Sequence, residues 1–235
     1  AGPLVQSAVA QSIALVAAHQ GNDVKAEAYL QFAEEHANAM RRVYVLLARA
    51  ASATYIGKFG DAEQALKAAQ RHRTNCPLAA ALLPYRWGMW FSAQGQGSQA
   101  QEAFGRAVHL AREQQQPETE FYAQLGLTAL ATAVGDEVAE RSSLARAKAL
   151  VKTPRAQAYL DWRLGAALVR HADSCGLERL NTALRYFQAN GCAREVVWVL
   201  LHLTEAHALL GSPTAAREAL REAADAHVML GGQQH

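Results

Sequence analysis

The chain has 235 residues, half of them apolar, and 51 are alanine, so it can bury a continuous core built largely from small side chains. The 23 basic and 21 acidic residues leave a net charge of +2. The basic residues are mostly arginine and are scattered among acidic ones, which is typical of a solvated helix face and argues against nucleic-acid binding by this segment. Its three cysteines are an odd number and lack C-x-x-C spacing, so neither a disulfide framework nor a zinc site is indicated.

The sequence contains no apolar run of about 18 residues and no signal peptide. We therefore expect a soluble, cytoplasmic protein with reduced thiols and no membrane partner. Because the sequence begins Ala1-Gly2-Pro3 without an initiator methionine, we expect it to be a fragment of a larger chain.

Residues that favour helix dominate the composition, because alanine, leucine, arginine, glutamine and glutamate lose little side-chain freedom there. No segment alternates with a period of two, so we predict no sheet. In chain order the predicted helices cover residues 4–19, 23–38, 40–56, 60–73, 78–94, 97–115, 118–134, 137–151, 155–170, 176–189, 193–210 and 213–230. They form six pairs, each of a helix A and a helix B, in a single repeat domain over residues 1–235. The repeats span 4–38, 40–73, 78–115, 118–151, 155–189 and 193–230.

A repeated residue pattern supports this division. Counting from Gly57, an alanine follows after five residues (Ala62), a large apolar residue after nine (Leu66) and an alanine after twelve (Ala69). Because steps of four and three residues follow one helix face, the alanines let a neighbouring helix approach while leucine fills the space between them. The pattern is repeated from Gly21, Gly95 and Gly211.

Two further copies are imperfect. The copy from Gly135 has Glu140 at the first alanine position, and the fifth copy has His171 where the glycine is expected. Each origin glycine is predicted to adopt the positive φ that ends helix A, and Asp136 and Ser212 can cap the next helix. Prolines between one repeat and the next are predicted to separate the two helices, at positions Pro77, Pro117 and Pro154.

This pattern of glycine, alanine, leucine or phenylalanine, and alanine resembles the second half of the tetratricopeptide repeat. Phe59 matches its large residue after the turn, and Gly88 and Phe91 match its small and aromatic positions in helix A. The repeats here are longer than the usual length of about 34 residues, and Arg49 stands at a helix A leucine position. The resemblance implies an all-α, right-handed superhelical solenoid of about six antiparallel helix pairs. It also implies a non-enzymatic module that binds a protein or peptide and needs no cofactor or metal.

Lengthened arrays rich in alanine and arginine are similar to the sensor or scaffold segments of large bacterial transcription regulators. This narrower resemblance implies a regulatory or oligomerisation role in signalling. The alternative is a stand-alone adaptor that assembles a protein complex, and the sequence that flanks this segment would distinguish the two.

In repeats of this family helix A lines the concave surface, so the family resemblance places the binding groove on the A helices. The candidate groove residues are Tyr44, Tyr55, Tyr85, Met89, Tyr122 and Trp198. Projection of the same helices adds Leu47, Leu82, Leu125, Asp161, Leu201 and Glu205. The set is largely apolar and aromatic and lacks lysine and asparagine, which argues against a clamp for a peptide carboxyl terminus. We expect an apolar peptide, a helix or an aromatic-containing small molecule as the partner; the alternative is that these aromatic residues belong to the core.

The last predicted helix ends with Val228, Met229 and Leu230, and no later helix is predicted to cover them. Either a longer chain continues over this surface or the helix pairs with a second copy of the protein. No arrangement of residues indicates catalysis. The glycines at Gly95 and Gly97 resemble a dinucleotide-binding loop, but they follow a predicted helix rather than a strand. His202 and His207 resemble a zinc hydrolase motif, but they are five residues apart instead of four.

Overall fold

The computed structural model describes residues 2–72 and 76–232, except for the side chain of Leu78, and within these ranges it contains helices and no strand. The prediction of an all-helical chain is confirmed. The twelve α-helices of this part of the chain are α1 (Pro3–His19), α2 (Asp23–Glu35), α3 (Ala39–Tyr55), α4 (Phe59–Arg71), α5 (Leu82–Ala93), α6 (Gly97–Glu113), α7 (Pro117–Val134), α8 (Glu137–Leu150), α9 (Pro154–Arg170), α10 (Cys175–Ala189), α11 (Ala193–Leu209) and α12 (Pro213–Gly232). Odd-numbered helices are the A helices and even-numbered helices are the B helices.

The helices pack in consecutive pairs. Each A helix contacts the following B helix in α3–α4, α5–α6, α9–α10 and α11–α12, and Ser7 of α1 donates a 2.7 Å hydrogen bond to the Ala33 carbonyl of α2. Neighbouring A helices also pack directly, α3 on α5 and α9 on α11. This packing confirms the predicted helix-pair architecture. None of the helices in the described ranges is both long enough and apolar enough to span a membrane.

The chain divides into two compact units. Unit 1 comprises residues 1–18 and 23–130, and unit 2 comprises residues 19–22 and 131–235. Unit 1 is centred on an apolar cluster of α3, α4 and α5 that includes Val43, Leu47 and Leu66. Unit 2 is centred on an apolar cluster of α9 to α12 that includes Trp162 and Phe187.

The predicted turns are present. The origin glycines Gly21, Gly57, Gly95, Gly135 and Gly211 all have positive φ, between 72° and 81°. A residue with a Cβ atom is strained in this conformation, so glycine is favoured where helix A ends and helix B begins. The fifth copy differs from the prediction, because its positive φ belongs to Ala172 (58°) rather than to His171. In that copy the turn is therefore one residue later than the sequence pattern suggested.

The pattern residues after the turns form the contacts between helices. In the copy from Gly57, Ala62, Leu66 and Ala69 are completely buried. The last copy is an exception, since Leu220 at the large-residue position keeps 50% of its surface exposed.

Two helix ends differ from the prediction by three residues or more. Helix α5 begins at Leu82 rather than at residue 78, because Pro77 opens a short 3₁₀ helix, Pro77–Ala79. Helix α2 ends at Glu35 rather than at residue 38, since Asn38 caps α3 by accepting a 2.9 Å hydrogen bond from the Arg41 amide. Residues 73–75, where the fourth helix was predicted to end, lie outside the described ranges. Helices α7 and α9 begin at Pro117 and Pro154, one residue before their predicted starts.

Glycines bring some helices unusually close together. An alanine Cβ at Gly176 of α10 would lie 2.6 Å from the Gly165 carbonyl oxygen of α9 and 2.9 Å from the Val169 amide nitrogen. In unit 1 the Phe104 ring occupies the space between Gly88 of α5 and Gly126 of α7, where added Cβ atoms would lie 2.5 and 2.6 Å from ring carbons. The larger side chain in this copy is accommodated by a glycine on both sides of it.

The residues that depart from the pattern in the two imperfect copies contact each other. Glu140, which stands at an alanine position, is buried at 5% exposure, and its Oε1 lies 3.1 Å from Nε2 of His171. The two residues that depart from the sequence pattern are therefore partners in one contact between α8 and the end of α9. A buried carboxylate needs such a partner.

The short segment of residues 19–22 belongs to unit 2, and within it Gly21 is buried. Leu230 is 8% exposed, and its Cδ2 lies 2.1 Å from the position that a Gly21 Cβ would occupy. Glu195 is buried beside His19 Nδ1 at 2.6 Å and accepts a hydrogen bond from the Tyr159 hydroxyl. Burial raises the Glu195 pKa, but the hydrogen bonds and the positive charge of His19 outweigh it and lower the pKa below its usual value.

The prediction that the end of the last helix is uncovered is wrong for Leu230. Val228 and Met229 remain 70% and 67% exposed.

Candidate functional site

In unit 1, three of the predicted groove residues lie together on neighbouring A helices. The rings of Tyr85 on α5 and Tyr122 on α7 have their centroids 6.3 Å apart. Both are half-buried, and Tyr85 also packs on the buried Phe104 ring with a centroid distance of 6.0 Å. Met89, one turn after Tyr85, packs against the same buried cluster. Tyr85 and Met89 thus contact the core on one side, while all three side chains keep part of their surface exposed.

Arg86 stacks on one ring of this aromatic group. Its guanidinium carbon lies 5.2 Å from the centroid of the Tyr85 ring, and its Nη1 lies 3.2 Å from the Met89 sulfur. Such stacking fixes the orientation of a guanidinium group without neutralising its charge. The group therefore combines a large apolar surface with an oriented cation.

Tyr44 on α3 has a similar neighbour. The Arg41 guanidinium lies 5.6 Å from the Tyr44 ring centroid and donates a 2.6 Å hydrogen bond to Gln11 Oε1 of α1. Burial, together with a hydrogen bond to the Cys76 thiol, raises the pKa of Tyr44 to about 12. Tyr44 is thus neutral at any physiological pH. Tyr44 lies near the start of α3, which packs directly on α5, and on that basis we group it with Tyr85, Met89 and Tyr122 as the tyrosine surface of unit 1.

The sequence interpretation missed Arg41 and Arg86, because it treated all basic residues as solvated. Helices α3 and α5 contain arginine but no aspartate or glutamate, and α1 contains none of the three. That asymmetry was visible in the sequence and could have identified the two arginines.

The remaining predicted residues are dispersed. Tyr55 is half-buried at the end of α3, and Leu47 and Leu125 are buried in the core of unit 1, so the predicted exposure of these two leucines is wrong. Asp161 in unit 2 is also buried, and Arg179 Nη1 donates a 2.8 Å hydrogen bond to it. This carboxylate is an internal ion-pair partner rather than a groove residue.

Unit 2 has an aromatic surface of its own. Trp198 and Leu201 of α11 are 54% and 39% exposed. Nearby, the Trp162 and His202 rings meet edge to face at 5.6 Å, and Arg163 stacks 4.4 Å from the Trp162 ring centroid.

His202 gives unit 2 a pH dependence. Burial, followed by the positive charge of Arg163, lowers its pKa below the ordinary value of 6.5. His202 therefore binds a proton more tightly in the unfolded chain than in the folded chain. As a result, the free energy of unfolding of unit 2 falls as the pH drops below the ordinary histidine pKa of 6.5. We expect the urea midpoint of unfolding to decrease from pH 7.5 to pH 5.5, and His202→Gln to remove part of this decrease. An unchanged slope in the variant would assign the effect to other groups.

A separate cleft of about 370 Å³ lies in unit 1 between α4, α5 and α6. Its lining is mainly apolar and includes Leu83, Pro84, Trp87 and Leu110, with Arg106 among the polar residues. Among the described residues there is no group of three or more histidine, cysteine, aspartate or glutamate side chains that could hold a metal ion.

No protein-family model matches the chain, and no curated protein sequence matches it. Solved structures do resemble it. A Rap protein in complex with Competence and Sporulation Factor has a TM-score of 0.77 and 17% identity, covering 98% of this chain and 66% of the Rap chain. BtubC (BKLC) from P. vanneervenii has a TM-score of 0.58 and 14% identity, covering 99% of this chain and 93% of its own. The chain spans about two thirds of the length of the Rap chain it matches. Its fold is that of a tetratricopeptide-like helical repeat array.

Proposed function

We propose that the chain is a non-enzymatic module that binds a protein or peptide, and that the tyrosine surface of unit 1 is the binding site. The observation that carries this proposal is the grouping of Tyr85, Tyr122 and Met89 on neighbouring A helices beside the oriented cation of Arg86. Tyrosine and arginine are enriched among residues that dominate binding energy, because they offer large contact area with a polar end. The Rap protein with the same fold was solved with Competence and Sporulation Factor bound, which supports a binding role for such an array.

A peptide selection tests this function. Random dodecapeptides displayed on phage are selected against the immobilised chain, and the affinity of the best peptide is measured by fluorescence polarisation. We expect the double substitution of Tyr85→Ala and Tyr122→Ala to weaken binding at least about tenfold, because it removes most of the aromatic contact area. Circular dichroism checks that the variant remains helical.

Phe32→Ala is the matched control, because Phe32 is a 41% exposed aromatic residue of unit 1 on the B helix α2. Binding should be unchanged in this variant. Hydrogen exchange of the unsubstituted chain gives a second measurement, in which the peptide should protect α5 and α7. Failure to select any peptide, or protection confined to other helices, would refute the proposed site.

The wider role is also a proposal. We propose that the module is the regulatory or oligomerisation part of a cytoplasmic bacterial transcription regulator, as the composition of the repeats suggests. The exposed Val228 and Met229 of α12 support a contact with a second copy of the protein. A light-scattering mass of a monomer at high concentration would contradict that contact. A stand-alone adaptor is the alternative, and an aromatic small molecule is a second possible ligand of the same surface.

A further inference from the structure

The first three A helices of unit 1 have an uneven charge. Helices α1, α3 and α5 carry four arginines, Arg41, Arg42, Arg49 and Arg86, and no acidic residue. The neighbouring B helix α2 carries the acidic residues of this region, including Glu27 and Glu34. The four arginines all lie on α3 and α5, so these two helices present only positive charge, while α1 has neither arginine nor an acidic residue.

Two of these arginines are neutralised within the fold. Arg49 contacts Glu34 and also Glu27, the latter at 3.2 Å, and Arg42 lies 3.7 Å from Glu34. Both arginines therefore serve the packing of α3 on α2.

The other two have no acidic partner. Across residues 2–72 and 76–232, neither Arg41 nor Arg86 forms an ion pair with a carboxylate. Each is half-buried and stacked on a tyrosine of the tyrosine surface. A partly desolvated guanidinium group interacts more strongly with an anion than one in open solvent, and its stacking reduces the entropy lost when it binds.

We infer that the peptide bound at the tyrosine surface carries acidic side chains, whose carboxylates pair with Arg41 and Arg86. This inference rests on the proposed function and specifies its ligand. The tyrosine rings supply the apolar contacts and the two guanidinium groups select aspartate or glutamate nearby. Two uncompensated cations suit a few carboxylates better than the regular phosphate backbone of a nucleic acid, which requires many such contacts.

The selected dodecapeptides provide the test. We expect aspartate and glutamate to be enriched among them, and the best peptide to lose about tenfold or more in affinity when its acidic residues are changed to asparagine and glutamine. Arg41→Gln and Arg86→Gln should each weaken binding about tenfold, whereas Arg41→Lys and Arg86→Lys should retain part of the affinity because they keep the charge.

Arg221→Gln on α12 is the matched control, because it removes the same charge from an exposed position in unit 2 and should leave binding unchanged. Thermal unfolding followed by circular dichroism confirms that each variant is folded. If Arg41→Gln or Arg86→Gln does not fold, the test relies on the unsubstituted chain. Its affinity for the best peptide is then compared with its affinity for the same peptide with asparagine and glutamine in place of the acidic residues.

Several outcomes would overturn the inference. Peptides that bind the tyrosine surface without acidic enrichment would refute it and leave the proposed function intact, while the absence of any selected peptide would refute both. If oligo-dT displaces the labelled peptide as strongly as the unlabelled peptide does, the surface binds polyanions in general and the inference is refuted. Loss of binding in Arg106→Gln, with none in the Arg41 and Arg86 variants, would move the site to the cleft between α4, α5 and α6.

Discussion

Replacement of Gly176 by alanine is expected to destabilise unit 2 by about 3 kcal/mol, at the upper end of the range for overpacked cores. The added methyl group would lie 2.6 Å from the Gly165 carbonyl oxygen and 2.9 Å from the Val169 amide nitrogen. Both atoms belong to the backbone of α9, so no side-chain rotation can relieve the contact. Helices α9 and α10 would have to separate along their whole interface. Urea denaturation followed by far-ultraviolet circular dichroism measures the loss as a lower midpoint.

Gly105→Ala is the control for this substitution. Gly105 is exposed in the interior of α6, and the position that an alanine Cβ would take there has no packing neighbour within 4 Å. The same change there should raise stability by about 0.5–1 kcal/mol, because alanine has the higher helix propensity. Equal midpoints for Gly176→Ala and the unsubstituted chain would show that α9 and α10 are less closely packed than their backbone contacts indicate.

Gly88→Ala is expected to destabilise unit 1 by about 2 kcal/mol, and Phe104→Leu is expected to restore most of that loss. The methyl group at Gly88 would lie 2.5 to 2.9 Å from three carbons of Phe104. The ring cannot move away, because Gly126 adjoins it on the other side. Leucine occupies the corresponding position after Gly57, where Leu66 is completely buried.

The test is a double-mutant cycle on the unfolding free energies of Gly88→Ala, Phe104→Leu and the double variant. Phe104→Leu alone should be destabilising, because it leaves a space between two glycines. The sum of the two single effects should therefore exceed the effect of the double variant. Strict additivity would mean that Gly88 and Phe104 do not constrain each other.

The order and pairing of the helices could be predicted from the sequence because each helix boundary has a local chemical cause. Positive φ at the turn favours glycine, and the alanines that follow let the next helix approach closely. The predicted turns and helix ends were wrong where more than one residue or backbone conformation could form the turn. The left-handed conformation is adopted by Ala172 in one copy, and the segment after Pro77 forms a 3₁₀ turn before α5 begins.

The candidate site was less predictable. The family resemblance placed Tyr85, Met89 and Tyr122 on one surface, and the structure brings them together. The resemblance gave no information on how deeply each side chain is buried, so Leu47, Leu125 and the ion-paired Asp161 were wrongly expected to be accessible. The partners of Arg41 and Arg86 depend on how neighbouring helices are positioned, and a sequence pattern within one helix does not contain that information.

The contact between Glu140 and His171 has a consequence for the modularity of the array. Repeat proteins are commonly treated as strings of exchangeable modules, because each repeat touches only its neighbours. Here the fourth module contributes a buried carboxylate and the fifth contributes the imidazole that satisfies it. A chimera that exchanges only the fifth module would leave a desolvated anion at an alanine position, a defect that commonly costs several kcal/mol. These two modules can be transplanted, or inherited, only as a pair.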